Sequence, residues 1–266
     1  MNRLIFLGAA GLALTVTGPV FAADLPPMPV KASFVERFTW TSCYLGAHLG
    51  GAWAKENVTD PVLLVQDSAG LGGPGFTTGR PTTIGVNQSG AVIGAQIGCD
   101  YQFPQNLVLG VEGAVSGSTM KGSRLVALPG SPPDTALVRV KTDFMPTLTA
   151  RVGYAADHWL FYAKGGVAWA SSKYGVVGTI NGAASLTPPT PFDFEGLSVR
   201  TGWTVGGGVE WAFAEDWSAR LEYDYYGFGT HTATMNDVVN GPGPLSFKTT
   251  MQMVKLGVNF HVWGWQ

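Results

Sequence analysis

Ile93-Gly-Ala-Gln-Ile-Gly-Cys-Asp-Tyr-Gln-Phe103 decides the reading of this chain. Ile93, Ala95, Ile97, Cys99, Tyr101 and Phe103 share one side of an extended strand. Gly94, Gln96, Gly98, Asp100 and Gln102 share the other. A period of two over eleven residues is a β-strand with one apolar and one polar face. Pro104-Gln-Asn106 then breaks the pattern, and a new run begins.

The same theme recurs along the chain. Eight alternating runs stand out, at 43–54, 88–103, 107–118, 140–156, 159–172, 198–213, 217–230 and 247–262. In the seventh, Trp217, Ala219, Leu221, Tyr223 and Tyr225 alternate with Ser218, Arg220, Glu222, Asp224 and Tyr226. In the eighth, Val254, Leu256, Val258, Phe260 and Val262 alternate with Lys255, Gly257, Asn259 and His261. The breaks alternate in length. Three are short: Pro104-Gln-Asn106, Asp157-His158 and Ala214-Glu-Asp216. Four are long and rich in Gly, Pro, Ser, Thr and Asn, at 55–87, 119–139, 173–197 and 231–246. Short turns at one end and long loops at the other are the pattern of a membrane-spanning barrel, with the turns in the periplasm. The expected fold is all-β, an eight-stranded antiparallel up-and-down transmembrane β-barrel over residues 41–266.

Composition agrees. Charged residues are 13% of the chain, about half the share usual in soluble domains, and 37 of 266 residues are glycine. A formal charge of −2 gives no basic footprint for nucleic acid. Residues 1–22 read as a signal peptide, with Arg3, an apolar core over Leu4 to Val20, and the cleavage pattern Val20-Phe21-Ala22. Residues 23–40, which include Asp24-Leu-Pro-Pro-Met-Pro29, read as a periplasmic Pro-containing linker. Beyond residue 22 no apolar stretch is long enough for a spanning helix.

The polar faces carry the candidate site. Away from the strand ends they hold the bases Arg151, Lys164, Arg220 and Lys255 and the acids Glu112, Glu210, Glu222 and Asp224. Eight strands enclose a lumen just wide enough for side chains. Charges there lose their water and must be paired. Four bases against four acids are therefore expected to form a packed ionic interior rather than an open pore. Gly46, Gly50, Gly94, Gly98, Gly166, Gly206 and Gly208 on the same faces leave room for the long side chains. Two aromatic groups fit interfacial girdles. One comprises Tyr101, Phe103, Tyr154, Trp159, Phe161, Trp211, Phe213 and Trp217, beside the short turns. The other comprises Trp53, Trp169, Trp203, Tyr225 and Phe228, near the long loops.

Other chemistry has little support. His48, His158, His231 and His261 stand in separate segments without metal-ligand spacing. His231 with Asp237 and Ser246 is the one imaginable catalytic set, and nothing in the spacing favours it. No cofactor, metal or catalytic residues are expected. Cys43 opens the first run and Cys99 closes the second. Antiparallel pairing brings them to one end, either as a disulfide or as two free thiols.

Ala23-Asp-Leu-Pro26, Phe38-Thr-Trp-Thr-Ser-Cys-Tyr-Leu-Gly46, Val108-Leu-Gly-Val-Glu-Gly113, Arg151-Val-Gly-Tyr154, Tyr162-Ala-Lys-Gly-Gly-Val-Ala168 and Val254-Lys-Leu-Gly-Val-Asn-Phe260 carry a resemblance. Together they resemble the small porin-like outer-membrane β-barrel proteins of alphaproteobacteria, which are similar to the OmpA-type eight-stranded barrel. The resemblance implies an abundant surface protein that supports envelope integrity. A small-solute porin and an adhesin acting through the loops are the alternatives. It also implies insertion by the barrel assembly machinery. The aromatic recognised at the end of such chains would here be Trp263 or Trp265. The family usually has an aromatic where Cys43 and Cys99 stand, and the paired departure favours a disulfide. The expected partners are outer-membrane lipid and lipopolysaccharide, with phosphates met by Arg80, Lys121, Arg124 and Lys173 in the loops. The resemblance also implies host contact with no partner named, and no nucleic acid is expected.

Overall fold

The computed structural model of the chain describes residues 38–59, 83–128, 134–180, 190–237 and 241–264. The expected signal peptide and most of the expected linker lie outside these residues. Eight strands follow one another: β1 (Ser42–Thr59), β2 (Thr83–Gln102), β3 (Leu107–Leu128), β4 (Asp134–Ala156), β5 (Trp159–Ile180), β6 (Thr190–Ala214), β7 (Trp217–Asp237) and β8 (Gly241–Gly264). Each pairs antiparallel with its neighbours, and β8 returns onto β1 to close a barrel. Closure leaves no sheet edge, so the ladders satisfy the backbone where lipid cannot.

The turns explain the local chain reversals. After β2, the Phe103 N–H donates to the Leu107 carbonyl at 2.7 Å, and the Asn106 N–H donates to the Phe103 carbonyl at 3.0 Å. Asn106 takes a left-handed φ of 63°, and Asp157, in the two-residue turn after β4, takes 51°. Asn and Asp tolerate that conformation better than other side chains.

Alternation sorts the two faces. Ile93, Ile97 and Tyr101 on β2, Leu221 and Tyr223 on β7, and Leu256 and Val258 on β8 are exposed on the outside. The girdle beside the turns is outward throughout, and Trp159 stacks on Trp211 with ring centres 5.7 Å apart. In the second girdle Trp53 and Trp203 are outward. Phe228 is not. It is buried in the lumen, on the same inward parity as Tyr226, just before a register shift between Gly227 and Thr230.

The strands are longer than the alternating runs. They reach 18 to 25 residues, against about 9–11 needed to cross a bilayer. The long breaks are therefore not loops throughout: β3 runs on to Leu128, β5 to Ile180, and β6 starts at Thr190. Past the lipid, the outward face turns polar, with Lys55, Ser89, Thr119, Lys121, Ser123 and Lys173. The alternation fades while the backbone pairing persists. The last residues of the expected linker pack against the barrel. Trp40 is fully buried, its backbone N–H donates to Gln102 Oε1 at 2.8 Å, and its indole donates to the Asp157 carbonyl at 3.1 Å.

Cys43 and Cys99 are directly opposite across β1 and β2 and form a disulfide on the outer wall. Their 56-residue separation gives it an entropic contribution of about 4 kcal/mol at most. The double substitution Cys43→Ser/Cys99→Ser is expected to keep the heat-modifiable gel mobility of a folded barrel. It should lower unfolding stability in detergent by about 2–4 kcal/mol, read from denaturant titration.

Candidate functional site in the barrel lumen

Inward residues from all eight strands fall into successive layers. At the turn end, Trp40 packs with Val108, Ala155, Leu160, Tyr162 and Ala212 as a stopper. His261 lies just above, hydrogen-bonded to Ser42 at 2.8 Å and to Ser218 at 2.9 Å.

The main ionic layer follows, and it contains all eight charges singled out above. Glu112 accepts from Tyr44 Oη at 2.8 Å and from Lys164 Nζ at 3.1 Å, and it pairs with Arg220. Glu222 takes Lys164 at 2.7 Å, Lys255 at 2.6 Å and the Tyr162 hydroxyl at 2.8 Å. Asp224 takes Lys255 at 2.6 Å. Glu210 accepts from Arg151 at 3.1 Å, Ser218 at 2.5 Å and Asn259 at 2.7 Å. The Arg151 guanidinium also lies 4.6 Å from the Tyr162 ring centre and 5.2 Å from that of Tyr44. Those two tyrosines need the glycines opposite. A Cβ on Gly98 would strike the Tyr44 ring, and one on Gly208 the Tyr162 ring.

The count of four acids against four bases is corrected by Asp100. It sits 2.6 Å from Arg151 Nη2 and makes a fifth buried carboxyl group. It stands near the end of its run, where the alternation gives a charge no weight. A polar seam continues the layer: His48 bonds to Gln96 at 2.6 Å and Ser116 at 2.9 Å, and Gln96 donates to Asn259 at 2.8 Å.

The next layer changes character. Met120, Met145, Met251 and Met253 pack with Ala52, Ala54, Val92, Ala168, Ala170, Tyr226 and Phe228, all buried. Methionine is flexible enough to fill an irregular cross-section. This apolar septum fills the cross-section with buried side chains where charge would otherwise line it. Its signal was present in the sequence, since the inward positions of β1, β7 and β8 switch there to Ala52/Ala54, Tyr226/Phe228 and Met251/Met253.

Beyond the septum stands a second, smaller ionic clip. Arg200 pairs with Glu56 at 3.2 Å and donates to Ser172 at 3.0 Å. Glu56 also accepts from Tyr174 Oη at 2.9 Å and Gln88 at 3.0 Å. Val86, Val140, Tyr174 and Phe247 cap it. Glu56 falls in an expected loop and Arg200 at a run end, so the alternation gave no weight to either.

Of the expected lipopolysaccharide contacts, Lys121 and Lys173 are on the outer wall of β3 and β5 rather than in loops. Arg124 donates to the Gly85 carbonyl at 2.6 Å, and Arg80 lies outside the described residues. His231 and Asp237 are six positions apart along β7, about 20 Å of extended chain, which separates their backbones widely. Trp263 is opposite Cys43 in the closing ladder, and Trp265 lies outside the described residues.

A model of the outer membrane protein β-barrel domain matches residues 30–260. The chain belongs to that family. The 31 kDa outer-membrane immunogenic protein of Brucella melitensis is 27% identical, across 94% of this chain and 97% of that protein. The 25 kDa outer-membrane immunogenic protein of Brucella ovis is also 27% identical, across 89% of this chain and 94% of that one. Among solved structures, the outer-membrane protease OmpT of Escherichia coli matches with a TM-score of 0.45 at 10% identity, covering 85% and 98% of the two chains. OprG of Pseudomonas aeruginosa matches with a TM-score of 0.40 at 13% identity, covering 82% and 96%. This family member is an outer-membrane protein, and its apolar belt is the lipid-facing surface.

Removing one partner of a buried ion pair strands the other, at a cost of about 3–5 kcal/mol. Arg220→Met should therefore destabilise the barrel by about that amount, because it leaves Glu112 short of a cation. Loss of heat-modifiable mobility at a lower temperature than wild type is the readout. Lys248→Gln on the exposed outer wall should change stability by less than about 0.5 kcal/mol.

Proposed function

We propose that this barrel is a structural, non-conducting and non-catalytic outer-membrane protein. It supports envelope integrity and holds a surface rim well above the lipid. The observation that carries the reading is the buried methionine layer set between two ionic layers. A hydrated path would have to cross Met120, Met145, Met251 and Met253 as well as both charge layers. Strands of up to 25 residues support the second half of the proposal, since about half of such a length exceeds the bilayer requirement. The surplus lies opposite the short turns and their aromatic girdle, which supports a rim outside the cell. The relatives named as immunogenic outer-membrane proteins fit a surface-exposed chain.

The small-solute porin is the competing reading. Planar-bilayer recording separates the two. The purified protein is expected to give no steady openings. A Met145→Gly/Met253→Gly variant, which thins the septum, is expected to give openings or leak. Steady wild-type openings that vanish in Arg220 or Glu222 variants would establish the porin instead. Contact with other cells through the rim is a separate role, tested by deleting residues 60–82 or 181–189 and measuring cell binding.

A further inference from the structure

The outer wall of β3, β4 and β5 carries a row of like charges that the lumen does not use. Lys121 is directly opposite Lys141, and Lys141 is directly opposite Lys173. Neighbouring strands are about 4.8 Å apart, so three lysines stem from adjacent backbone positions in one row. Like charges in directly opposed positions destabilise a sheet unless a counter-charge sits on them. Arg139 lies one outward position farther along β4.

A local backbone feature builds this row. Below Asp143 the inward positions of β4 are odd, namely Met145, Thr149 and Arg151. Above it they are even, namely Thr142 and Val140. The register shift between Thr142 and Phe144 makes that change, and it turns Lys141 and Arg139 from the lumen to the outside. Asp143 partly offsets the row, 2.5 Å from Lys141 and 3.7 Å from Lys173. Among the described side chains of this patch, four bases meet one acid, on a chain whose formal charge is −2.

The position is amphiphilic. Leu197, directly opposite Lys173, is 75% exposed, and Val199 is 67% exposed. Phe144, 48% exposed, stands below Lys141. Lys173 is four residues beyond Trp169, about 13 Å along the strand from the outer girdle. That is headgroup height, directly above the acyl region. A shallow depression of about 700 Å³ lies there, lined by Lys121, Arg139, Lys141, Lys173, Tyr174 and Leu197 among others.

The geometry points to a lipid site: the Lys121–Lys141–Lys173 row, with Arg139, binds the phosphorylated glucosamine headgroup of lipopolysaccharide in the outer leaflet. Leu197, Val199 and Phe144 lie along its acyl chains. Ammonium and guanidinium groups suit phosphate oxygens, and the apolar residues below exclude a purely aqueous anion as the best fit. The site depends on the outer-membrane location and not on whether the lumen conducts.

The test uses the full mature chain in detergent, titrated with diphosphoryl lipid A, with lipid A stripped of both phosphates, and with heparin. Wild type should bind diphosphoryl lipid A about tenfold or more tightly than the dephosphorylated form. Lys121→Gln/Lys141→Gln/Lys173→Gln should lose that advantage while keeping heat-modifiable mobility. Lys55→Gln/Lys248→Gln, on β1 and β8, should keep it. If the triple variant does not fold, Lys141→Gln alone should still reduce diphosphoryl lipid A binding. Equal binding of both lipid A forms, unchanged binding in the triple or single variant, or tighter binding of heparin than of lipid A would overturn the proposal.

Discussion

A closed tube of eight strands leaves little room for water, so its inward polar groups find most of their partners on other strands. That constraint organises the lumen. The carboxylates of Glu112, Glu210 and Glu222 each receive three or more donors or cations, drawn from several strands. Arg151 reaches both Asp100 and Glu210 and is sandwiched by two tyrosine rings. Such a network contributes little net stability over a well-packed apolar core, because desolvating each ion offsets the attraction. What it fixes is register: a one-residue slip of any strand would send its charges into lipid.

The layers divide the work. Trp40 stoppers the turn end, the ionic layers lock strand to strand, and the methionine septum interrupts the polar path between them. An interior of charge alone would still admit water between the pairs. A septum of flexible apolar side chains does not, since such a layer offers water no hydrogen-bonding partners. The outer wall meets lipid, and the bulge at Asp143 shows how a single inserted residue moves charges from one face to the other.

Alternation in the sequence was enough to define the strand count, the topology, the lipid face and the eight central charges, because one buried and one lipid-facing side leave a strict period of two. It was weak where that contrast disappears. In the upper part of the barrel charged and apolar residues mix on both faces, so Glu56 and Lys121 read as loop residues though both are on strands. Asp100 and Arg200 sat at run ends and were discounted there. The septum was visible in Met251 and Met253, but a methionine on a polar face carries no charge to draw notice. Parity alone also placed Phe228 inward, against its assignment to a girdle by proximity to other aromatics. The disulfide followed from strand pairing once the register put Cys43 opposite Cys99.

Solvent access to the septum tests the sealed lumen most directly. A single cysteine at Met145, in protein reconstituted into liposomes with the native disulfide intact, can be probed with a small water-soluble thiol reagent alongside a cysteine at Thr83, exposed at the far end of β2. The Thr83 position is expected to react readily and the Met145 position to stay unmodified until the barrel is unfolded. Modification of both at similar rates would show a continuous aqueous path through the barrel and contradict it.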